Sequence, residues 1–471
     1  MQLPDRLSAP SGRERTCPGA SSEPSVLPLS GPVETHAARQ RGVSGTGAEE
    51  GTGGRGLLAP TAIRGTTSRR HLLATTAAAL PAIAITTRSS AQAGTPATTP
   101  IGIPGGTPAA ALADTPWSEM VEEMWATIRE QLWHERIGQY LERTPRQDND
   151  IATLWPVCAL FSGLRARAEA GTSPDAMTDL AAITDHLGEY FDASSNPPAY
   201  DSYPRSRGGG DKFYDDNEWL GIDAVYAWRL SGEQRHLDLA TTTWAFAISG
   251  WSDDLGGGIF WQENDRVTKN TCSNGPAAVL AMLLHDATGD QQYLDWAVRI
   301  MDWVRQLRDP ATGVYLDHIR LDGTIDDRTF TYNTGTPMHA AALLYRATGD
   351  EAYLEEARSL ATAAWDHFAP AGTATADTLG VRVWPPDPWF NSILFRGFVA
   401  LAEVSPDPED GFAPARSMLD YLRLGWSGAR DEDGLVLPDW SQESTGPALI
   451  ARLLDQAPIL EFAATAHHLD L

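Results

Sequence analysis

From Pro116 onward, apolar residues recur at three- and four-residue spacings in segments separated by Gly-, Pro- and Asp-rich turns. The pattern predicts twelve helices. They span roughly 117–142, 151–170, 175–192, 216–230, 234–250, 272–288, 291–308, 335–348, 351–369, 390–404, 411–424 and 447–467. One junction motif repeats. "RLSGEQRHLDLA", "DATGDQQYLDWA" and "RATGDEAYLEEA" each place a Leu five residues and an Ala eight residues after a Gly. Gly232, Gly289 and Gly349 are 57 and 60 residues apart. Each Gly follows an apolar helix and suits the left-handed position just past its end. The Leu and Ala then share one face of the next helix. A fixed period of this size marks a repeated supersecondary unit. Twelve helices in six pairs, with no convincing sheet, predict an all-α fold, the (α/α)6 toroid. An open solenoid of helix pairs is the alternative. Roughly 350 residues is enough for one large core.

The connections fall into two classes. Those after helices two, four, six, eight and ten are short, such as "GEQ" and "GD". Those after helices three, five, seven, nine and eleven are long: 193–215, 251–271, 309–334, 370–389 and 425–446. In a closed toroid the two classes occupy opposite rims. The long loops all lead into the N-termini of the even helices. If those helices form the inner ring, this rim carries the pocket, with exposed helix N–H groups on its floor.

Before Pro116 the pattern changes. Residues 1–67 have no sustained apolar period, and the first of sixteen Trp residues is Trp117. Such a segment cannot offset its ordering entropy, and it reads as disordered or as an extension upstream of the true start. Residues 68–93 then show Arg69-Arg70, an apolar run from Leu72 to Ile85, and Ala91-Gln92-Ala93. This is the three-part pattern of a signal peptide, with the paired arginines of twin-arginine export. A membrane anchor is the alternative, but the run is short and Pro81 interrupts it. Residues 94–115 read as a linker and 116–471 as the folded domain.

Residues 94–471 hold 26 basic against 56 acidic side chains, a net charge of −30. That balance argues against a nucleic-acid or anionic-surface partner. After signal cleavage the domain is expected to be secreted or periplasmic, monomeric, and not inserted in a membrane. Cys158 and Cys272 could form one disulfide in an exported chain, but nothing local brings them together, and no zinc spacing is present.

Polar and aromatic residues gather at the predicted rim. Asp148, Asn149 and Trp155 lie at helix two. Tyr214, Asp215, Asp216 and Trp219 open helix four. "GGGIFW" and "KNTCSNGP", with Asn270 and Asn274, lead into helix six. "TYNTGT", with Tyr332 and Asn333, opens helix eight. "WPPDPWFN", with Trp389 and Asn391, opens helix ten, and "WSQESTGP" opens helix twelve. Singly, each has a plain reading: Asn, Asp and Thr cap helices, and Trp fills cores. Together they are the mixture that holds a carbohydrate, with aromatic faces on sugar C–H faces and amides and carboxylates on hydroxyls. The tandem Asp215-Asp216 adds chemistry. Two neighbouring carboxyl groups can share the work of glycoside cleavage, one protonating the leaving oxygen and the other attacking carbon or activating water. Close negative charges also raise one of the two pKa values, which keeps a proton available. "DD" recurs at Asp253-Asp254 and Asp326-Asp327, so a capping role for the pair stays open.

"YDDNEW", "GGGIFW", "KNTCSNGPAA", "TYNTGT" and the "TGDxxYL" repeats resemble glycoside hydrolase family 76, endo-α-1,6-mannanases and relatives built as (α/α)6 barrels. The resemblance covers roughly residues 117–468. It implies a retaining hydrolase of α-1,6-linked mannan with no cofactor or metal. It also implies that Asp215 is the nucleophile and Asp216 the general acid/base, with Trp219 in register. Rival readings are a non-catalytic glycan-binding protein, or an epimerase or unsaturated glycuronyl hydrolase on the same toroid. An epimerase calls for paired histidines on inner helices; His236 and His285 lie near repeat glycines, His467-His468 lie at the end, and His339, inside helix eight, is the exception.

Overall fold

The computed structural model describes residues 114–444 and 450–471. The export segment and the tail before it lie outside these residues. The described chain forms thirteen helices: α1 Trp117–Leu132, α2 Leu154–Ala170, α3 Ala176–Leu187, α4 Tyr214–Ser231, α5 Gln234–Ser249, α6 Thr271–Thr288, α7 Gln291–Val304, α8 Thr331–Thr348, α9 Glu351–Phe368, α10 Ala374–Leu379, α11 Pro388–Val404, α12 Glu409–Gly428 and α13 Leu453–Leu469. Twelve correspond to the predicted segments, although the first ends at Leu132 rather than near residue 142. The short α10 lies within the long connection 370–389.

Helices α2, α4, α6, α8, α11 and α13 each pack on the next, and α13 returns to α2. The ring is therefore closed, and the fold is the toroid rather than the solenoid. Helices α1, α3, α5, α7, α9 and α12 pack outside it, each against an inner partner. Burial follows this order. Every residue of α6 from Thr271 to Leu284 is buried, whereas α7 buries one stripe that includes Tyr293, Ala297, Ile300, Met301 and Val304. A helix apolar all round belongs inside, and an amphipathic one on the boundary.

The repeat motif now has a physical account. Gly232, Gly289 and Gly349 take φ values of +69°, +73° and +68°, and each donates its N–H to the carbonyl four residues earlier. In the "TGD" copies the following Asp caps the next helix. Asp290 accepts from the Gln292 N–H and Asp350 from the Ala352 N–H, each at 3.0 Å. Gly ends one helix and Asp starts the next, so two residues suffice for the turn. Ala240, Ala297 and Ala357 then lie fully buried against the inner ring.

Inner helices also approach closely through glycine. A Cβ on Gly335 would meet the Leu394 backbone of α11 at 2.6 to 2.8 Å. Backbone cannot yield as a side-chain tip can. Gly335→Ala is expected to lower stability by about 1–3 kcal/mol, read as a lower urea midpoint with an unchanged m-value.

Small sheets, which the apolar pattern does not predict, lie between the helices, and β1 and β2 replace the end of the segment expected as helix one. β1 Trp133–His134 pairs with β2 Gln139–Tyr140, and β3 Phe191–Asp192 with β4 Ala199–Tyr200. β5 Thr268–Asn270, β6 Leu316–Arg320 and β7 Ile325–Thr329 form an antiparallel sheet in the order β5-β6-β7. Among the described residues, no helix is long and apolar enough to cross a membrane.

Candidate active site

The inner helices begin on one rim, and α4 brings the tandem carboxylates there. Phe213 is extended, with φ −107° and ψ 136°, and forms a bridge with Gln262. The Tyr214 N–H donates to the Trp261 carbonyl at 3.0 Å. These contacts fix where α4 starts. Phe213 occupies the capping position, and Asp215 and Asp216 both fall inside the first turn. The positive end of the helix dipole stabilises negative charge at this turn.

The two carboxyl groups are held differently. Asp215 is half-buried. Its Oδ1 accepts from the Asp216 N–H at 3.0 Å and its Oδ2 from Trp261 Nε1 at 3.3 Å. Asp216 is 2% exposed, and its backbone carbonyl accepts from the Cys158 thiol of α2 at 3.4 Å. Asn217 fastens the rim beside them. Its Oδ1 accepts from the Tyr200 N–H, and its Nδ2 donates to the Tyr200 and Phe213 carbonyls.

The glycine-rich loop that carries Trp261 is tied down by Lys269. Its ammonium donates to the carbonyls of Ser252, Asp254 and Gly257 at 2.8, 2.6 and 2.5 Å. Burial pushes the Lys269 pKa down to about 8. Carbonyl oxygens can only accept hydrogen bonds, so these three contacts favour the charged, donating form. Asn274 holds the same loop, accepting from the Ile259 N–H at 2.8 Å and donating to the Ile259 carbonyl at 2.9 Å.

The rim residues singled out in the sequence therefore separate into two groups. Asn274 is spent on the Ile259 backbone. Asn391 accepts from the Thr331 hydroxyl and donates to the Pro385 carbonyl. The Tyr214 ring stacks on Phe246 of the outer helix at 4.6 Å, and its hydroxyl accepts from Arg266. Trp219 and Trp389 meet edge to face at 6.0 Å in the core. Asp148 is 61% exposed and bound by His134 and Arg136. For these six the polar or aromatic surface goes to the scaffold or to the outer surface. Asn270 and Asn333 differ: each is buried, with an Oδ1 that no donor among the described residues reaches. Tyr332 lies in an aromatic group, stacked on Phe390 at 4.1 Å, with Trp155 against the same Phe390 ring at 5.8 Å. Trp155 and Trp261 keep part of their surface open.

Two groups were not singled out in the sequence. Asp317 and His318 lie on β6, with His318 Nδ1 3.0 Å from Asp317 Oδ2 and Asn270 directly across the ladder. Arg328 donates to Asp317 and Asp326 at 3.0 and 2.9 Å, filling the place a cation would take among these acids. Glu218, one turn after Asp215, is fully buried, with neither carboxyl oxygen hydrogen-bonded to any of the described residues. Burial, and then the charge of Asp215, push its pKa well above the usual carboxylate range. Its position on a helix buried all round was the available signal. The remaining pairs differ from Asp215-Asp216: Asp253 is 87% exposed beside Arg299, and Asp326 belongs to the β7 hairpin. His339 is buried near Tyr226, and burial followed by the charge of Arg396 pushes its pKa down to about 3.

Known proteins give the arrangement a context. A yeast relative, the mannan endo-1,6-alpha-mannosidase DCW1 of Saccharomyces cerevisiae, is 30% identical over 154 residues, which cover 29% of this chain and 34% of the relative. The chain thus spans about a third of that curated relative. A family 76 glycoside hydrolase from a bovine Bacteroides thetaiotaomicron strain superposes with a TM-score of 0.69 at 25% identity, over 76% of this chain and 79% of its own. An inactive variant of the α-1,6-mannanase of Salegentibacter sp. HEL1_6, in complex with α-1,6-mannotriose, superposes with a TM-score of 0.61 at 25% identity, over 74% and 99%. The family model for glycosyl hydrolase family 76 matches residues 117–422, most of the described toroid. By that match, and with the toroid it covers, the chain belongs to glycosyl hydrolase family 76.

Proposed function

We propose that the protein is an exported, retaining glycoside hydrolase that cleaves α-1,6-mannosidic bonds in mannan-type polysaccharide. The observation that carries this reading is the tandem Asp215-Asp216 in the first turn of an inner helix, at the rim where the long loops gather. The inactive Salegentibacter variant supports it, because that protein has asparagine in place of two adjacent aspartates. Asp215, held by Trp261 and kept ionised by the helix N-terminus, attacks the anomeric carbon. Asp216, nearly sealed from solvent, protonates the departing glycosidic oxygen and then removes a proton from the incoming water. Trp155, Trp261 and Tyr332 offer aromatic faces to the sugar rings, and Asn270 and Asn333 offer amide oxygens to hydroxyls.

Incubation with linear α-1,6-mannan tests the reading. New reducing ends are expected, and proton NMR of the first products should show the α anomer before mutarotation. Absence of cleavage would remove the hydrolase assignment, and a β anomer would remove the retaining mechanism.

Export rests on Arg69-Arg70 and the Ala91-Gln92-Ala93 site. Mass spectrometry of culture medium or periplasm should find a mature chain beginning near Gly94. A full-length cytoplasmic product would count against it.

A further inference from the structure

Glu218 is a carboxyl group that the two-aspartate mechanism leaves without a task. It lies three residues after Asp215 on α4, and side chains at that spacing are neighbours on one helix face. It is 0% exposed, and neither oxygen has a hydrogen-bond partner among the described residues. A fully buried carboxylate without a cation or a donor is very costly, and the group avoids the cost by keeping its proton. Asp215 is the charged group that acts on it. A protonated carboxyl has one O–H to donate, and the neighbouring anion is the acceptor that gains most from it.

We propose that Glu218 is a positioning residue, a neutral carboxylic acid one turn below Asp215. Directly or through one buried water, it donates to the Asp215 carboxylate, fixing its rotamer and stabilising its charge. The proposal rests on Asp215 being the nucleophile. It explains why an acid is tolerated inside a helix buried all round. It also gives Asp215 a further restraint beside the Asp216 N–H and the Trp261 indole. Glycosylation turns Asp215 into a neutral ester, a weaker acceptor than the anion. The donor is thus matched to the charged form that must be restored when the ester is hydrolysed.

The test compares wild type with Glu218→Gln and Glu218→Leu. Gln keeps a neutral side chain with a donor, whereas Leu keeps the volume and removes it. The first measurement needs no substrate: carbon-13 NMR titration of Asp215, with infrared detection of a protonated carboxyl. Wild type at neutral pH should show a protonated carboxyl band that Glu218→Gln lacks. The Asp215 midpoint should stay near wild type in Gln and rise by about one pH unit in Leu, because the hydrogen bond favours the anion. The second measurement is the pH profile of kcat/KM on α-1,6-mannan. Its acidic limb should move upward in Leu and hold in Gln, with the plateau about ten- to hundredfold lower in Leu as the nucleophile loses its orientation. A downward shift in Gln would mean that Glu218 is ionised in the wild type and would overturn the proposal. So would a missing band, or a Leu variant with an unmoved titration. If wild type fails to cleave mannan while the titration behaves as stated, the substrate reading falls and the Glu218–Asp215 coupling stands. If Leu does not fold, the infrared band and the Gln titration decide.

Discussion

Asp215→Asn is expected to cut hydrolysis of α-1,6-mannan by about 10⁴-fold or more, and Asp216→Asn by roughly 10²- to 10⁴-fold, with both proteins folded. The near-isosteric change keeps shape and most polar contacts but removes a nucleophile in one case and a proton donor in the other. Stability should change little. Neither residue is the cap of α4, so the cost is at most the loss of a charge near the helix N-terminus, about 0.3–1 kcal/mol. The two variants should differ on substrates with good leaving groups. Such substrates need little protonation, so Asp216→Asn should recover much of its glycosylation rate on them. Asp215→Asn should recover none. The remaining pairs serve as controls. Asp253 is 87% exposed beside Arg299, and Asp327 lies in the β7 hairpin, so Asn at either should leave turnover within about twofold. Near-normal mannan hydrolysis by folded Asp215→Asn and Asp216→Asn would return the pair to a structural role.

Much of this architecture was legible in the sequence because helix pairs obey local rules. Gly232, Gly289 and Gly349 mark helix ends by a backbone requirement, and Asp290 and Asp350 mark starts by a capping bond. The alternation of short and long connections then separates inner from outer helices before any contact is known. The sheets β1–β2, β3–β4 and β5–β6–β7 were not legible. Their strands are short, several carry no apolar alternation, and β5 pairs with a strand about fifty residues away. Loss of the β6–β7 hairpin from the reading also hid Asp317 and His318.

At the site, residue type alone pointed to the rim but could not separate contact from support. Asn274 and Asn333 look alike in sequence, each five or fewer residues into a helix-opening motif. The structure commits both ends of the Asn274 amide to Ile259, while the Asn333 Oδ1 receives no donor among the described residues. That difference depends on which loop folds back over the helix end, which no local pattern encodes. Glu218 was hidden for the opposite reason. On a helix read as inner, an acid beside Trp219 invites no attention until its burial is known.

Arg396→Met is expected to destabilise the toroid by about 3–5 kcal/mol, a larger effect than any surface ion pair could give. Arg396 of α11 reaches across the ring to Asp223 of α4 at 3.3 Å and to Glu461 of α13. Arg165 of α2 meets the same two acids, at 3.2 Å and 3.4 Å. The four side chains are at most 9% exposed, and they tie four inner helices together. Burial disfavours the charge of Arg396, but Asp223 and Glu461 more than offset it and hold the guanidinium protonated. Met fills similar volume without charge, so two buried carboxylates are left with one arginine. The penalty comes mainly from that uncompensated negative charge, not from the net value of the bond. Lys at 396 should restore only part, because one ammonium cannot present the fork that spans both acids. Arg299→Ala, which breaks an exposed pair with Asp253, should cost no more than about 0.5 kcal/mol. Asp223 lies seven residues beyond Asp216 on α4, roughly 10 Å deeper along the helix. The loss should therefore appear as a lower thermal midpoint and a lower urea midpoint, with kcat per folded molecule near that of the wild type. A fall in kcat at temperatures where Arg396→Met is fully folded would show instead that the ion cluster shapes the reacting end of the barrel.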